Sequence, residues 1–163
     1  MLKARQYGLN ILVKKATESA APIRNDWNEY KRTKKIFDKL TREQQLLVDP
    51  EGTWEYSPIV FHRVFDKNNR GFAELYTQDD GTHEVAIAVA PKHQGKGLGK
   101  SLLQRLIEKA NKNNIDEIIY APLETNKASV SLGSYFGGVP VEKTKGGNLK
   151  FIIDTNRVIN DSL

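Results

Sequence analysis

Gln94-Gly95-Lys96-Gly97-Leu98-Gly99-Lys100 decides how the rest of the chain is read. An alternating apolar run from Glu84 to Ala90 precedes it, and a strongly periodic apolar segment begins near Gly97. A strand that ends in a glycine-rich, basic turn and then opens a helix presents free backbone N–H groups and the positive end of a helix dipole. The stretch therefore reads as an anion site. It does not fit a Walker loop, which needs Gly-Lys-Ser/Thr after four intervening residues. Nor does it fit a dinucleotide fingerprint at the head of alternating β/α units, because antiparallel strands precede it.

Upstream, Ile59 to Phe65, Gly71 to Tyr76 and Thr82 to Ala90 read as a three-strand antiparallel meander joined by polar turns at Asp66–Arg70 and Gln78–Gly81. In the third strand Val85, Ile87 and Val89 point one way and Glu84, Ala86 and Ala88 the other, which leaves one face lined with small side chains. A helix or a ligand can approach such a face closely. Asp49-Pro50-Glu51-Gly52 is a turn by composition. Before it, apolar residues recur at helical steps from Ser19 to about Leu47, with a break near Asp38 to Thr41. Thr41 with Gln44 three residues on has the form of a capping box opening the second of two helices. Leu9 to Val13 is a short apolar run compatible with a first strand.

Downstream, Leu98, Leu102, Leu103, Leu106, Ile107 and Ala110 form one stripe of a helix from about Gly97 to Asn111. Ile115 to Leu123 reads as a strand, so strand, helix and strand make a right-handed parallel crossover. Thr125 or Asn126 opens a further helix that Gly137-Gly138 stops after Phe136. The chain closes with a hairpin, Val139 to Thr144 and Asn148 to Asp154, across Lys145-Gly146-Gly147.

At 163 residues one domain spanning 1–163 is expected, with a helical region at about 19–48 and a core at about 57–154. Apolar residues at 39% and charged residues at 28% place the chain among soluble globular proteins. No apolar run approaches the roughly 20 residues of a spanning helix, and the first residues lack a secretory h-region, so no membrane association and a cytoplasmic location are expected. The absence of cysteine excludes disulfides and thiolate nucleophiles, and His62, His83 and His93 have no ligand spacing, so no metal site is expected. The net charge of +5 suits a phosphate-rich ligand or a solvated helix face such as Lys31 to Lys35, and nucleic acid is the less favoured partner.

Val89 to Gly99 resembles motif A of the GCN5-related N-acetyltransferase (GNAT) superfamily, whose signature is Gln/Arg-x-x-Gly-x-Gly/Ala. Asn126-Lys127-Ala128-Ser129, with Leu132 and Gly137-Gly138 beyond, is similar to its motif B. The resemblance runs from about Ile59 to Asp154. It implies a mixed α/β (α+β) fold, mostly antiparallel, with a central splayed parallel strand pair and helices on both faces. It implies acetyl-CoA as cofactor, with the pyrophosphate on the N–H groups of Gln94, Gly95, Lys96, Gly97, Leu98, Gly99 and Lys100, the pantetheine arm against Ile87, Ala88 and Val89, and a contact from Asn126.

The implied activity is direct acetyl transfer to a primary amine of a small-molecule or peptide acceptor, with the Val89 N–H as the donor to the reacting carbonyl. A thioester releases a thiolate of pKa about 8.5, so a placed neutral amine and an N–H donor suffice. Glu84, on the alanine face of the strand that would bind the thioester, is the first candidate for general base, with His83 and Glu74 as rivals. Two positions depart from the family pattern. The Tyr that many members carry seven residues after the motif B Asn is Gly133 here, and a second carboxylate position is Ala121. Tyr135, about 200° further round the helix, is the substitute candidate acid or a core residue. A fold that binds acyl-CoA without transferring it is the alternative, and a homodimer is left open.

Overall fold

The computed structural model of the chain describes residues 27–48, 62–78 and 80–161. The run Leu9–Val13, the helical pattern before Trp27, the Asp49–Gly52 turn and Ile59–Phe61 lie outside the described residues. Two helices, α1 (Trp27–Phe37) and α2 (Arg42–Val48), precede the meander β1 (His62–Phe65), β2 (Gly71–Thr77) and β3 (His83–Val89). After a 3₁₀ turn at Pro91–His93 come α3 (Leu98–Lys112), β4 (Glu117–Tyr120), α4 (Lys127–Tyr135), the hairpin β5 (Val139–Lys143) and β6 (Leu149–Asp154), and α5 (Thr155–Asp161).

The six strands form one sheet in the order β1-β2-β3-β4-β6-β5. Every neighbouring pair is antiparallel except β3 and β4, which are parallel. Strand alternation sends Val64, Ala73, Leu75 and Val85 to one face, where they meet Leu102, Leu103, Leu106, Ile107 and Ala110 of α3. Burying each of the Leu and Ile side chains stabilises the fold by about 1.5–3 kcal/mol. The opposite face carries Phe65, Phe72 and Ala88 against Ile36, Leu40 and Val48 of the α1–α2 region. The small side chain at Ala88 thus admits a pair of helices, as the alanine face suggested.

The break before α2 is the expected capping box. The Thr41 N–H donates to Gln44 Oε1 at 3.0 Å and the Gln44 N–H to Thr41 Oγ1 at 3.2 Å. The sequence reading missed α5, a seven-residue helix. Asp154, the last residue of β6, caps it by accepting from the N–H groups of Asn156 (2.9 Å) and Arg157 (3.3 Å). Thr155 anchors it, its Oγ1 donating to the Ile115 carbonyl at 2.7 Å. No helix among the described residues is long and apolar enough to cross a membrane.

Candidate functional site

The site begins with an unfinished ladder. The Ala90 N–H donates to the Arg70 carbonyl at 2.8 Å, so in the β2–β3 register the even-numbered residues of β3 pair with β2 and the odd-numbered ones face β4. Pairing with β4 is confined to Glu84 opposite Ile119. Beyond that point the amides of Ile87 and Val89 face a cleft. The Val89 carbonyl is taken by Gln44 Nε2 (3.0 Å) and Gln94 Nε2 (3.1 Å), which tie α2 and the glycine loop to the end of the strand.

The cleft opens because the chain after β4 follows the β5–β6 hairpin instead of β3. The Leu149 N–H donates to the Pro122 carbonyl (2.9 Å), Asn148 Nδ2 to the Ala121 carbonyl (2.9 Å), and Leu123 bridges to Asn148. Tyr120 adds a tie to α4 by donating its hydroxyl to the Ser129 carbonyl at 2.9 Å. Burial pushes that phenol up to about 12, so it stays protonated at neutral pH.

At the C-terminal end of β3 the glycine loop turns into α3. Gly95 and Gly97 have φ of +75° and +80°, a conformation that L side chains rarely adopt, and a Cβ at either would meet nothing within 4 Å. Those two positions therefore need glycine for backbone shape and leave open space in front of the loop. Gly97 caps α3 with no side-chain hydrogen bond. The first N–H groups of the helix are thus directed at that space with the positive dipole end behind them. Gln94, Gly95, Lys96, Gly97 and Lys100 are exposed, while Leu98 and Gly99 are half-buried, Gly99 lying within reach of Leu132 of α4. The arrangement fits a phosphate-bearing molecule whose amide-bearing arm pairs with the free edge of β3.

Across the cleft, Asn126 caps α4, its Oδ1 accepting from the Ser129 N–H at 3.2 Å. Among the described residues its Nδ2 has no protein acceptor. The helix ends in a Schellman arrangement: Gly137 has φ +72°, its N–H reaches the Ser134 carbonyl at 3.0 Å, and the Gly138 N–H reaches the Gly133 carbonyl at 2.8 Å. Gly133 is buried on the ring of Phe151, and a Cβ there would lie 2.7–2.9 Å from three ring atoms. A side chain at this position must displace the Phe151 ring. Tyr135 is not in the core. It is 62% exposed, with Lys100 Nζ 3.8 Å from its ring centroid, so it stands beside the glycine loop.

The three candidate bases separate cleanly. Glu84 is half-buried at the mouth of the cleft and accepts a hydrogen bond from Gln78 Nε2. Glu74 is fully buried, paired with Arg63 Nε at 3.0 Å and accepting the Tyr76 hydroxyl, so its charge is already spent on an internal ion pair. His83 lies on the α3 side of the sheet with Nδ1 3.1 Å from Thr77 Oγ1, and burial lowers its pKa. The structure places Ile87 and Val89 on the open edge of β3, Gln94 to Lys100 at its end, Glu84 at the β3–β4 pair and Asn126 at the head of α4. Sequence reasoning missed the reach of Gln44 to Val89, 45 positions on, which the capping-box motif did not indicate, and the contact of Gln78 with Glu84 across the β2–β3 turn.

Residues 20–137 match the model of the acetyltransferase (GNAT) family. No curated protein matches the chain. Among solved structures, yncA from Salmonella typhimurium with its cofactor acetyl-CoA is 27% identical, the match covering 53% of this chain and 58% of that one at a TM-score of 0.48. An N-acetyltransferase from Staphylococcus aureus Mu50 is 25% identical over 55% of this chain and 64% of that one, at a TM-score of 0.50. Both matches span less than two thirds of the relative's length. The GNAT domain of S. lividans PAT is 15% identical over 78% of this chain and 86% of that one, at a TM-score of 0.63, a likeness of fold.

Proposed function

Because the chain belongs to the acetyltransferase (GNAT) family, we propose that it transfers an acetyl group from acetyl-CoA directly to a primary amine of a small molecule or peptide. The observation that carries this reading is the free edge of β3 running straight into the glycine loop: amides for an amide-bearing arm, then N–H groups for a diphosphate, in one line. Acetyl-CoA supplies the activated acyl group as a thioester. Gln94 to Lys100 would hold its diphosphate, Ile87 and Val89 would line its arm, and the Asn126 amide would close the cleft from α4; Ala88, expected beside the arm, is instead turned to β2 and packed against the α1–α2 region. The chain contains no cysteine, so transfer proceeds without an acyl-cysteine.

Glu84 is the group that takes the amine proton. At about 3.3 Å per residue along the strand it stands about 10 Å from Ile87 and about 16 Å from Val89. Of the two cleft-facing amides Ile87 is the nearer to Glu84, which reaches the amine only through a chain of waters, and the Val89 N–H is the donor to the reacting carbonyl that the family resemblance implies. A second reading, acyl-CoA binding without transfer, is favoured by one observation: Gly133, sealed by Phe151, has no room for an acid at the family's position. Thiol release from acetyl-CoA with a mixed amine panel separates the two, and turnover that falls about 10²-fold or more in Glu84→Gln is the expected result. Tight CoA binding with no turnover on any amine sinks the enzyme reading. Lys96→Glu combined with Gly97→Asp places carboxylates at the diphosphate and abolishes CoA binding; unchanged affinity means the cofactor sits elsewhere.

A further inference from the structure

The outer edge of the sheet, away from the cleft, carries a second concentration of positive charge. β1 is an edge strand, and the Asp66 N–H pairs with the Gly71 carbonyl at 3.0 Å, so the carbonyls of Arg63 and Phe65 turn outward. Two side chains one turn apart on α3 reach them, Arg105 Nη1 donating to Phe65 O at 2.5 Å and Lys109 Nζ to Arg63 O at 2.9 Å. From α1, Arg32 donates Nη2 to the Asp66 carbonyl at 3.0 Å and lies over the Phe65 ring, 4.5 Å from its centroid.

These hydrogen bonds fix three cations without neutralising them, because the acceptors are backbone carbonyls. Arg32, Arg105, Lys109 and Lys112 line a cavity of about 360 Å³ together with Arg63 and Glu108. The charge of Arg63 is met by Glu74 at 3.0 Å, and Glu108 is the one carboxylate among the described lining residues, so four cations face one anion. A surplus of three positive charges around a concave site draws anions to it. The field extends to His62 at the head of β1, whose pKa is lowered first by burial and then by the charge of Lys109.

The volume exceeds that of a single phosphate, and guanidinium groups suit phosphate oxygens through paired N–H donors. Lys109 lies nine residues beyond Lys100, about 13 Å along α3, so this cavity is separate from the glycine loop. We propose that the cavity lined by Arg32, Arg105, Lys109 and Lys112 is a second anion site, taking a small molecule that bears two or more phosphate groups. The site does not depend on acetyl transfer.

The test is calorimetric titration of the full chain with inorganic pyrophosphate, run with saturating CoA and, in parallel, in a Lys96→Glu background that disables the glycine loop. The expected result is saturable binding in both arms, with backbone amide shifts concentrated at Phe65 and Arg105 to Lys112. Lys112→Glu, at an exposed position, weakens it roughly tenfold or more. Arg105→Gln, which keeps a donor for the Phe65 carbonyl while removing the charge, also weakens it with unchanged melting temperature. No pyrophosphate binding overturns the proposal, as does binding that is indifferent to Lys112→Glu. Uptake of a nucleic-acid duplex with steep salt dependence, without uptake of pyrophosphate, overturns it in favour of a nucleic-acid surface.

Discussion

Replacing Gly133 with alanine tests how α4 is seated on the sheet. The new Cβ would lie 2.7, 2.8 and 2.9 Å from Phe151 Cδ2, Cε2 and Cγ. Carbon contacts are comfortable near 3.5 Å, so helix and ring must separate by about 0.8 Å. The ring has nowhere to go. Phe151 is 1% exposed and packs beside Tyr120, with centroids 6.3 Å apart, and Tyr120 is itself tied to the Ser129 carbonyl. Overpacking of this kind costs about 1–3 kcal/mol, against which alanine returns about 1 kcal/mol of helix propensity.

A net loss of about 1 kcal/mol is expected, which for a chain of this length lowers Tm by about 2–4 °C. Urea and thermal unfolding followed by circular dichroism give the number. In a Phe151→Leu background the clash is relieved, so the same Gly133→Ala change should become stabilising by up to about 1 kcal/mol. A rise in Tm for Gly133→Ala in the otherwise unaltered protein would refute the packing argument. Gly133→Tyr is the same conflict enlarged, and it should cost the fold before it could supply an acid.

Two other expectations concern the helical cap and the half-buried imidazoles. Thr41→Ala removes one half of the capping box and should lower stability by about 1 kcal/mol, with Thr41→Ser restoring most of it; equal stability of the Ala and Ser variants in urea unfolding would contradict the cap. Burial lowers the pKa of both His62 and His83 below the ordinary 6.5. The unfolded chain therefore takes up protons first as pH falls, so stability is fully present above about pH 6.5 and is lost as pH drops through it toward the lower folded values. Tm should fall between about pH 7.5 and about pH 5.5, and His62→Gln with His83→Gln should flatten that slope; an unaltered slope in the double variant would refute the assignment.

What could be read before folding was local. Thr41 and Gln44 are three residues apart, Asn126 and Ser129 likewise, and Gly133 to Gly138 close their own helix end, so each of these hydrogen-bonded units is written in adjacent letters. The same holds for the glycine loop, where Gly95 and Gly97 take positive φ as local turns and α3 follows from its own apolar stripe. The meander and the faces of β3 follow from the two-residue period.

The remainder depended on pairs far apart in the chain. Arg63 meets Glu74 only because β1 and β2 take the register that sets them opposite each other, and this removes Glu74 from the candidate bases. The space in front of Gly133 is filled by Phe151, eighteen positions on. Tyr135 stands exposed beside Lys100, which places it outside the core. The sequence by itself determined that a strand, a glycine loop and a helix would present N–H groups to an anion, because those groups are left over by backbone geometry within one short stretch. Only the tertiary structure decided where β3 parts from β4, which carboxylate stands at that opening, and that a second cluster of cations gathers along β1, because each depends on which distant side chains the packed sheet brings into reach.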